Sequence, residues 1–181
     1  MTQTPQPSFS IRLPEGDDKP RRVCDTCGFI DYVNPKIVTG AVVVAPDGRL
    51  LLCRRAIEPR RGYWTLPAGY MEVGESTAAA AAREAMEEAC AEIEIGPLLA
   101  LYDVPRIGQV HVFFRARLLN PDGVRPGIES LNVALFEWER IPWKAMAFTT
   151  AKWALEHWRE SRELDSFPPY RNPAPNPGQN D

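Results

Sequence analysis

Glu84, Glu87 and Glu88 stand at positions i, i+3 and i+4 of the run Arg83-Glu84-Ala85-Met86-Glu87-Glu88. In a helix that spacing stacks their carboxylates on one face. Like charges so placed cost a helix a few tenths of a kcal/mol each, roughly, so the face is either solvated or neutralised by a cation. Oxygen-only ligands suit Mg²⁺ or Mn²⁺, which keep part of their water shell and take substrate phosphates at the remaining positions. The chemistry open to such a site is the breaking of a phosphate bond. A Glu-rich helix taken alone is more often a wet surface, and only its surroundings decide between the two.

The elements that must carry these carboxylates are legible on either side. Ser76 to Ala89 is rich in Ala, Glu and Arg, lacks Gly and Pro, and opens on Ser76 and Thr77, which predicts a capped helix. Upstream, KIVTGAVVVA and RLLLCRR flank a Pro46-Asp47-Gly48 turn and read as a hairpin of two buried strands. Downstream, LLALYDV, QVHVFFRARL and NVALFEWERI carry strand residues, with a Pro- and Gly-containing loop from Asn120 to Glu129 between the last two. TTAKWALEHWRESREL starts on Thr149 and Thr150 and repeats Trp153, Leu155 and Trp158 near helical spacing, so it should lay an apolar face on the sheet. The class is α/β with a mixed sheet.

Reading outward from the carboxylates, Gly69 is followed by Glu75 and then by Arg83-Glu84-Ala85-Met86-Glu87-Glu88. This pattern resembles the Nudix box, a strand, loop, helix and loop motif, and matches each of its charged positions. The resemblance implies a Nudix fold, a mixed sheet sandwiched between helices. It also assigns Glu84, Glu87 and Glu88 as metal ligands and catalytic groups, Gly69 as the Cβ-free backbone beside the metal, and Glu75 with Arg83 as a structural ion pair. Cys90 stands where the family usually has Gly, and Ala91 where it has a bulky apolar residue. A Cβ in the left-handed conformation of such a Gly costs roughly 1 kcal/mol, so a differently shaped helix exit is expected.

Beyond the box, RRVCDTCGFIDYVNPKIVTG, GYWTLPAGYMEVGES, YDVPRIGQVHVFF and PGIESLNVALFEWERIPWKAMAF together look like the bacterial and plastid Nudix enzymes that split FAD and ADP-ribose. The SQPWPFPxS motif of the NADH-cleaving neighbours is not found. The implied reaction is Mg²⁺-dependent hydrolysis of the diphosphate bond of a nucleoside diphosphate derivative, FAD or ADP-ribose, to two monophosphates. The alternatives are nucleoside triphosphate or NADH pyrophosphatase activity, or an inactive nucleotide-binding module, whose mark would be loss of one of the Glu residues. Glu129, on the Pro-Gly loop, is the candidate general base. Arg54 and Arg55, directly after a strand, are candidates for phosphate, and Trp64 and Tyr70, which flank the box, for stacking on a base or flavin. Ordinary surface charge and core packing are the plainer roles for these four.

The expected organisation is an arm over residues 1–36, a Nudix hydrolase domain over 37–165, and a tail over 166–181. From Phe167 the tail holds five prolines, and it is expected to be disordered for want of apolar area. The arm carries Cys24 and Cys27, the second pair of a family zinc ribbon whose first pair is missing. Two thiols fall short of the four ligands of a structural site, so a degenerate ribbon without zinc is expected. Both histidines, His111 and His157, fall in regular elements and are expected to pack. A net charge of −3 offers no broad field for nucleic acid, and no apolar run approaches a membrane span, so neither is expected as a partner. Without a recognisable leader, and with cysteines that do not form a short secreted framework, a cytoplasmic location is expected. A homodimer is expected from the resemblance.

Overall fold

The computed structural model describes residues 7–174, and the chain divides into two compact units after Pro35. In the smaller unit β1 (Phe9–Arg12), β2 (Arg21–Cys24) and β3 (Ile30–Asp31) form an antiparallel sheet in that order. Its turn after β2 is closed by Gly28 N–H on the Cys24 carbonyl at 3.0 Å and by Cys24 N–H on Phe29 at 2.8 Å. Cys24 is buried and Cys27 exposed.

The larger unit is organised by β4 (Lys36–Val44) and β5 (Leu50–Arg55), joined by the Pro46-Asp47-Gly48 turn. They pair only at Val44 and Leu50 and then diverge, so the expected hairpin is confined to its turn. Two short strands fill the gap: β6 (Trp64–Thr65) pairs with β5, and β7 (Ala68–Tyr70) pairs with β4. After α1 (Thr77–Ala89) come β8 (Ile93–Val104), β9 (Gln109–Leu118), β10 (Ser130–Phe136) and α2 (Thr149–Ser161). The sheet order is β10-β5-β4-β9-β8. β4 and β9 run parallel and their neighbours antiparallel, so the sheet is mixed. β10 stops at Phe136, where a 3₁₀ turn over Trp138–Arg140 takes the rest of the expected strand away from the sheet.

Alternation along the central strands builds two cores. Ala41, Val43, Leu51, Cys53, Val112 and Phe114 meet Ala81, Ala85 and Ala89 of α1, whereas Val42, Leu50, Leu52, Tyr102 and Phe113 meet Ala151, Ala154, Leu155 and Trp158 of α2. Three consecutive buried leucines, Leu50 to Leu52, are what a strand covered on both faces requires. At about 1.5–3 kcal/mol for each fully buried Leu or Val, this period-2 pattern is the main term holding the site's platform. The apolar residues that α1 packs on the central strands are all Ala, so the helix lies close to β4 and brings its polar edge near the sheet.

The tail beyond Ser166 corrects the sequence expectation. Phe167 and Tyr170 pack on the α2-side core, and the Tyr170 ring stacks on His157 with centroids 4.2 Å apart. Leu101 N–H donates to Tyr170 at 3.0 Å, Tyr170 N–H donates to Leu99 at 2.9 Å, and Asn172 brackets the backbone of Asp103. Two aromatic rings and these bonds offset the ordering entropy that proline-rich composition left uncovered. The remainder of the expected disordered tail, residues 175–181, lies outside the described residues. Both histidines pack in elements: His157 shares a 2.7 Å bond with the Tyr102 hydroxyl, His111 a 3.0 Å bond with Thr150, and burial holds both below the usual imidazole range. Among the described residues no helix is long and apolar enough to cross a membrane.

α1 starts on Ser76, whose hydroxyl accepts from Ala79 N–H at 3.2 Å. Its exit also corrects an expectation. Cys90 takes the left-handed conformation (φ 49°, ψ 34°) that a Gly would take, with its N–H on the Met86 carbonyl and the following Ala91 N–H on the Ala85 carbonyl. The exit therefore keeps the shape a Gly would give and bears the strain of a Cβ. Cys90→Gly should raise the thermal midpoint by the equivalent of roughly 0.5 kcal/mol, the strain relieved less the entropy cost of glycine. A calorimetric midpoint at or below the parent's would show that the strain is relieved elsewhere.

Candidate active site

The carboxylates meet at one edge of α1. Glu84 and Glu88 are buried and Glu87 is exposed. Gly69 of β7 lies against Glu84 so closely that a Cβ built there would collide with the carboxylate. Glu88 Oε2 accepts from Ala68 N–H at 3.1 Å, which ties the helix to the same short strand.

Arg83 is the hub of the cluster. Its Nη2 and Nε donate to Glu75 at 2.8 and 3.1 Å, and its Nη1 donates to Glu84 at 2.7 Å and to Glu87 at 2.9 Å. Nη2 also reaches the Tyr70 carbonyl at 3.0 Å, fastening the loop after β7 to the helix. Arg83 is thus both the partner of Glu75 and an i,i+4 partner of Glu87, and these carboxylates raise its pKa further. Glu75 accepts from Glu72 N–H at 2.6 Å as well, and its pKa is lowered by Arg83 first and that N–H second.

One cation does not neutralise the group. Burial pushes the Glu84 carboxyl up, with Glu87 and Glu129 adding repulsion, and pushes Glu88 up to about 8, with Glu84 and Glu129 adding to it. The charge of Glu129, which comes from a loop distant in sequence, is thus felt at both helix carboxylates, as the least of the causes acting on them. Glu129 is exposed, and its backbone carbonyl accepts from Ala56 N–H at 2.7 Å.

The four residues expected around the substrate divide. Arg55 is buried, its Nε donates to Pro59 at 2.9 Å, its guanidinium lies 5.1 Å from the Phe148 ring centroid, and its charge acts on Glu88. Trp64 packs edge-on to Phe136 at 4.9 Å and joins the α2-side core. Both are committed to the fold. Arg54 is exposed, with Nε on the Gly62 carbonyl at 2.8 Å, and Tyr70 is 50% exposed, with Lys36 Nζ 5.1 Å from its ring centroid and Gln109 donating to its hydroxyl at 2.8 Å. These two remain open to solvent. Sequence reasoning missed the Ala68 N–H, Arg55 as a buried counter-charge, and the bonds of Gly127 and Asn120 to the end of α1. Each depends on long-range register that no local spacing reports.

Among the described residues no three His, Cys, Asp or Glu side chains converge as a ready metal cage, since Arg83 occupies Glu84 and Glu87 while Ala68 holds Glu88. The chemistry of the donors nevertheless fits a hard divalent cation: all are oxygens, two are buried and destabilised as anions, and Gly69 leaves room beside them. Thr39, in register with Gly69, and Ser130, next to Glu129, also bury hydroxyls without a hydrogen-bond partner among the described residues, as where solvent or an ion completes a polar shell. Cys24 and Cys27 have no third or fourth ligand among the described residues, and zinc does not fit there.

Known proteins share this arrangement. The family model of the NUDIX domain matches residues 34–161, and that of the Nudix N-terminal zinc ribbon matches 7–33. The crystal structure of a Nudix hydrolase from Nitrosomonas europaea is 43% identical, covers 94% of this chain and 96% of its own, and superposes with a TM-score of 0.85. A MutT-like protein of Streptomyces ambofaciens is 37% identical over 45% of this chain and 51% of its own length, so the match spans about half of it. An ADP-ribose pyrophosphatase of Methanocaldococcus jannaschii is 27% identical over 61% of this chain and 67% of its own. The chain belongs to the Nudix family of hydrolases.

The raised pKa of Glu88 makes stability depend on pH. A carboxyl that folds with a pKa near 8, against 4.5 unfolded, binds a proton on folding between those values. Its contribution to stability is complete below pH 4.5 and is lost as pH rises through 8. In chelator, Glu88→Gln should therefore melt higher than the parent at pH 8 and approach it at pH 5. Equal midpoints at both pH values would mean that the carboxyl is solvated in the fold.

Proposed function

We propose that this chain hydrolyses the diphosphate bond of a nucleoside diphosphate derivative, ADP-ribose or FAD, to two monophosphates, with Mg²⁺ or Mn²⁺ as cofactor. The observation that carries the reading is the placing of Glu84, Glu87 and Glu88 along one helix edge, with Glu84 and Glu88 buried against the backbone of Gly69 and Ala68. The substrate class is supported by the Methanocaldococcus jannaschii relative named an ADP-ribose pyrophosphatase. A resemblance beyond the box to enzymes that split FAD and ADP-ribose also supports it.

Glu84, Glu87 and Glu88 would hold the divalent cation, whose charge offsets that of the diphosphate and makes a bound water more acidic. Glu129 takes the proton from the attacking water; the bond between a phosphorus and the bridging oxygen breaks, and the bridging oxygen leaves with the second monophosphate. Arg83 keeps the helix carboxylates aimed at one side, and Arg55 offsets part of the charge at Glu88. Arg54 is placed for a phosphate oxygen and Tyr70 for stacking on the base or flavin. A cytoplasmic setting agrees with four cysteines that form no disulfide.

Glu87→Gln keeps shape and removes one ligand charge, so kcat should fall about 100-fold or more while the thermal midpoint stays near the parent's. Rates should be compared with Mg²⁺ on ADP-ribose, FAD, NADH and nucleoside triphosphates, following the monophosphates released. Parent-like rates in the variant would misplace the metal site, and turnover of triphosphates alone would replace the substrate class. The chain is further proposed to form a homodimer, and light scattering should give twice the chain mass; a monomer mass would refute that.

A further inference from the structure

The loop from Asn120 to Ser130 lies along the exit of α1 and is fastened there through backbone atoms. A helix leaves its last carbonyls without intrahelical donors. Here Gly127 N–H donates to Glu88 at 3.0 Å and Arg125 N–H to Ala89 at 2.9 Å, while Asn120 Nδ2 donates to Cys90 at 3.1 Å and Asn120 Oδ1 accepts from Glu92 N–H at 2.8 Å. Gly127 is pressed against the Glu87 carbonyl, and a Cβ at that position would overlap it. The requirement for glycine is one of space and not of backbone conformation.

The same residue fixes the turn that leads into β10. Ser130 N–H donates to the Gly127 carbonyl at 3.1 Å, closing a turn whose central residues are Ile128 and Glu129. Ile128 is 99% exposed and Glu129 is exposed, so no apolar anchor holds this turn. Hydrogen bonds to the helix end, and the bond from Ala56 N–H to the Glu129 carbonyl at 2.7 Å, are what keep it in place.

We propose that Gly127 is a positioning residue of this enzyme: it lets the loop seat on the end of the helix that carries Glu87 and Glu88, and so sets where the Glu129 side chain, two residues on, stands relative to them. This rests on the reading of Glu129 as the base. Asn120, which clamps the root of the loop to Cys90 and Glu92, assists from the other end.

Gly127→Ala, Asn120→Ala, Glu129→Gln and the two double variants with Glu129→Gln should be compared in the full chain, with kcat and KM on ADP-ribose and Mg²⁺, and amide exchange in chelator. Gly127→Ala should lower kcat at least about tenfold with KM within about twofold, as small misplacements of a catalytic group do. The exchange protection of residues 125 and 127 should drop by about tenfold or more with it, if the seat is lost. On a Glu129→Gln background Gly127→Ala should cost nothing further, since it acts through that carboxylate. Losses that multiply, protection unchanged by the substitution, or a parent-like kcat would each overturn the proposal while leaving Glu129 as the base. Parent-like kcat in Glu129→Gln would remove the base reading and the proposal together. If Gly127→Ala does not fold, Asn120→Ala carries the same test, with a smaller loss of kcat that must also vanish on the Glu129→Gln background.

Discussion

Two acidic side chains, Glu84 and Glu88, are buried on the edge of one helix, in its C-terminal half, and the cost of holding charge there, to which Glu87 and Glu129 add lesser repulsion, is the constraint around which the rest of this face is arranged. The location makes matters worse, because the helix dipole places its negative end there and no basic residue stands in the last turn of α1. A chain selected for stability alone would not gather charge in this way. Each neighbouring feature answers it: Arg83 spreads one guanidinium over Glu75, Glu84 and Glu87; Ala68 gives a backbone donor to Glu88; Arg55 supplies a buried counter-charge. What these leave unneutralised is what a hard divalent cation would offset.

Holding such a cluster needs a platform that does not yield. β4 provides it by being covered on both faces, with α1 on one side and α2 on the other, and by pairing in parallel with β9 over its whole length. β4 and β5 separate after the turn, and the opening admits β7, whose Gly69 and Ala68 reach the helix carboxylates. The divergence that shortened the expected hairpin is thus what creates room for the site. The cost at the helix exit, a left-handed Cys90, is carried by bonds from its N–H and from Asn120 to its carbonyl.

The features legible in the sequence arise from local periodicity. α1 and β9 fall within a residue of where spacing and caps place them, and α2 starts on Thr149 as expected but stops at Ser161, short of Leu164, because these signals lie within a few turns of chain. The carboxylate face was legible for the same reason, since i, i+3 and i+4 are neighbours on any helix. Long-range matters were not. The tail read as disordered because composition counts prolines and does not see that Phe167 and Tyr170 find His157 and the sheet. Arg55 and Trp64 looked as free as Arg54 and Tyr70, because which face of a strand is covered depends on β6, β10 and α2, far away in sequence.

The loop after β5 is bonded to the backbone that carries Glu129. Gly62 N–H donates to the Arg55 carbonyl and Arg55 N–H to Tyr63, closing a loop that carries the exposed Arg60 and Arg61 and is braced from inside by the Arg55 guanidinium on Pro59. Ala56, at the root of this loop, donates to the Glu129 carbonyl. The backbone of Glu129 is therefore bonded on one side to an arginine-bearing loop and, through Gly127, on the other to the helix that carries Glu87 and Glu88. An anion drawn to the arginines and a cation drawn to the carboxylates would act on one connected frame. Rigidity here comes from hydrogen bonds between backbones, which do not depend on the identity of exposed side chains.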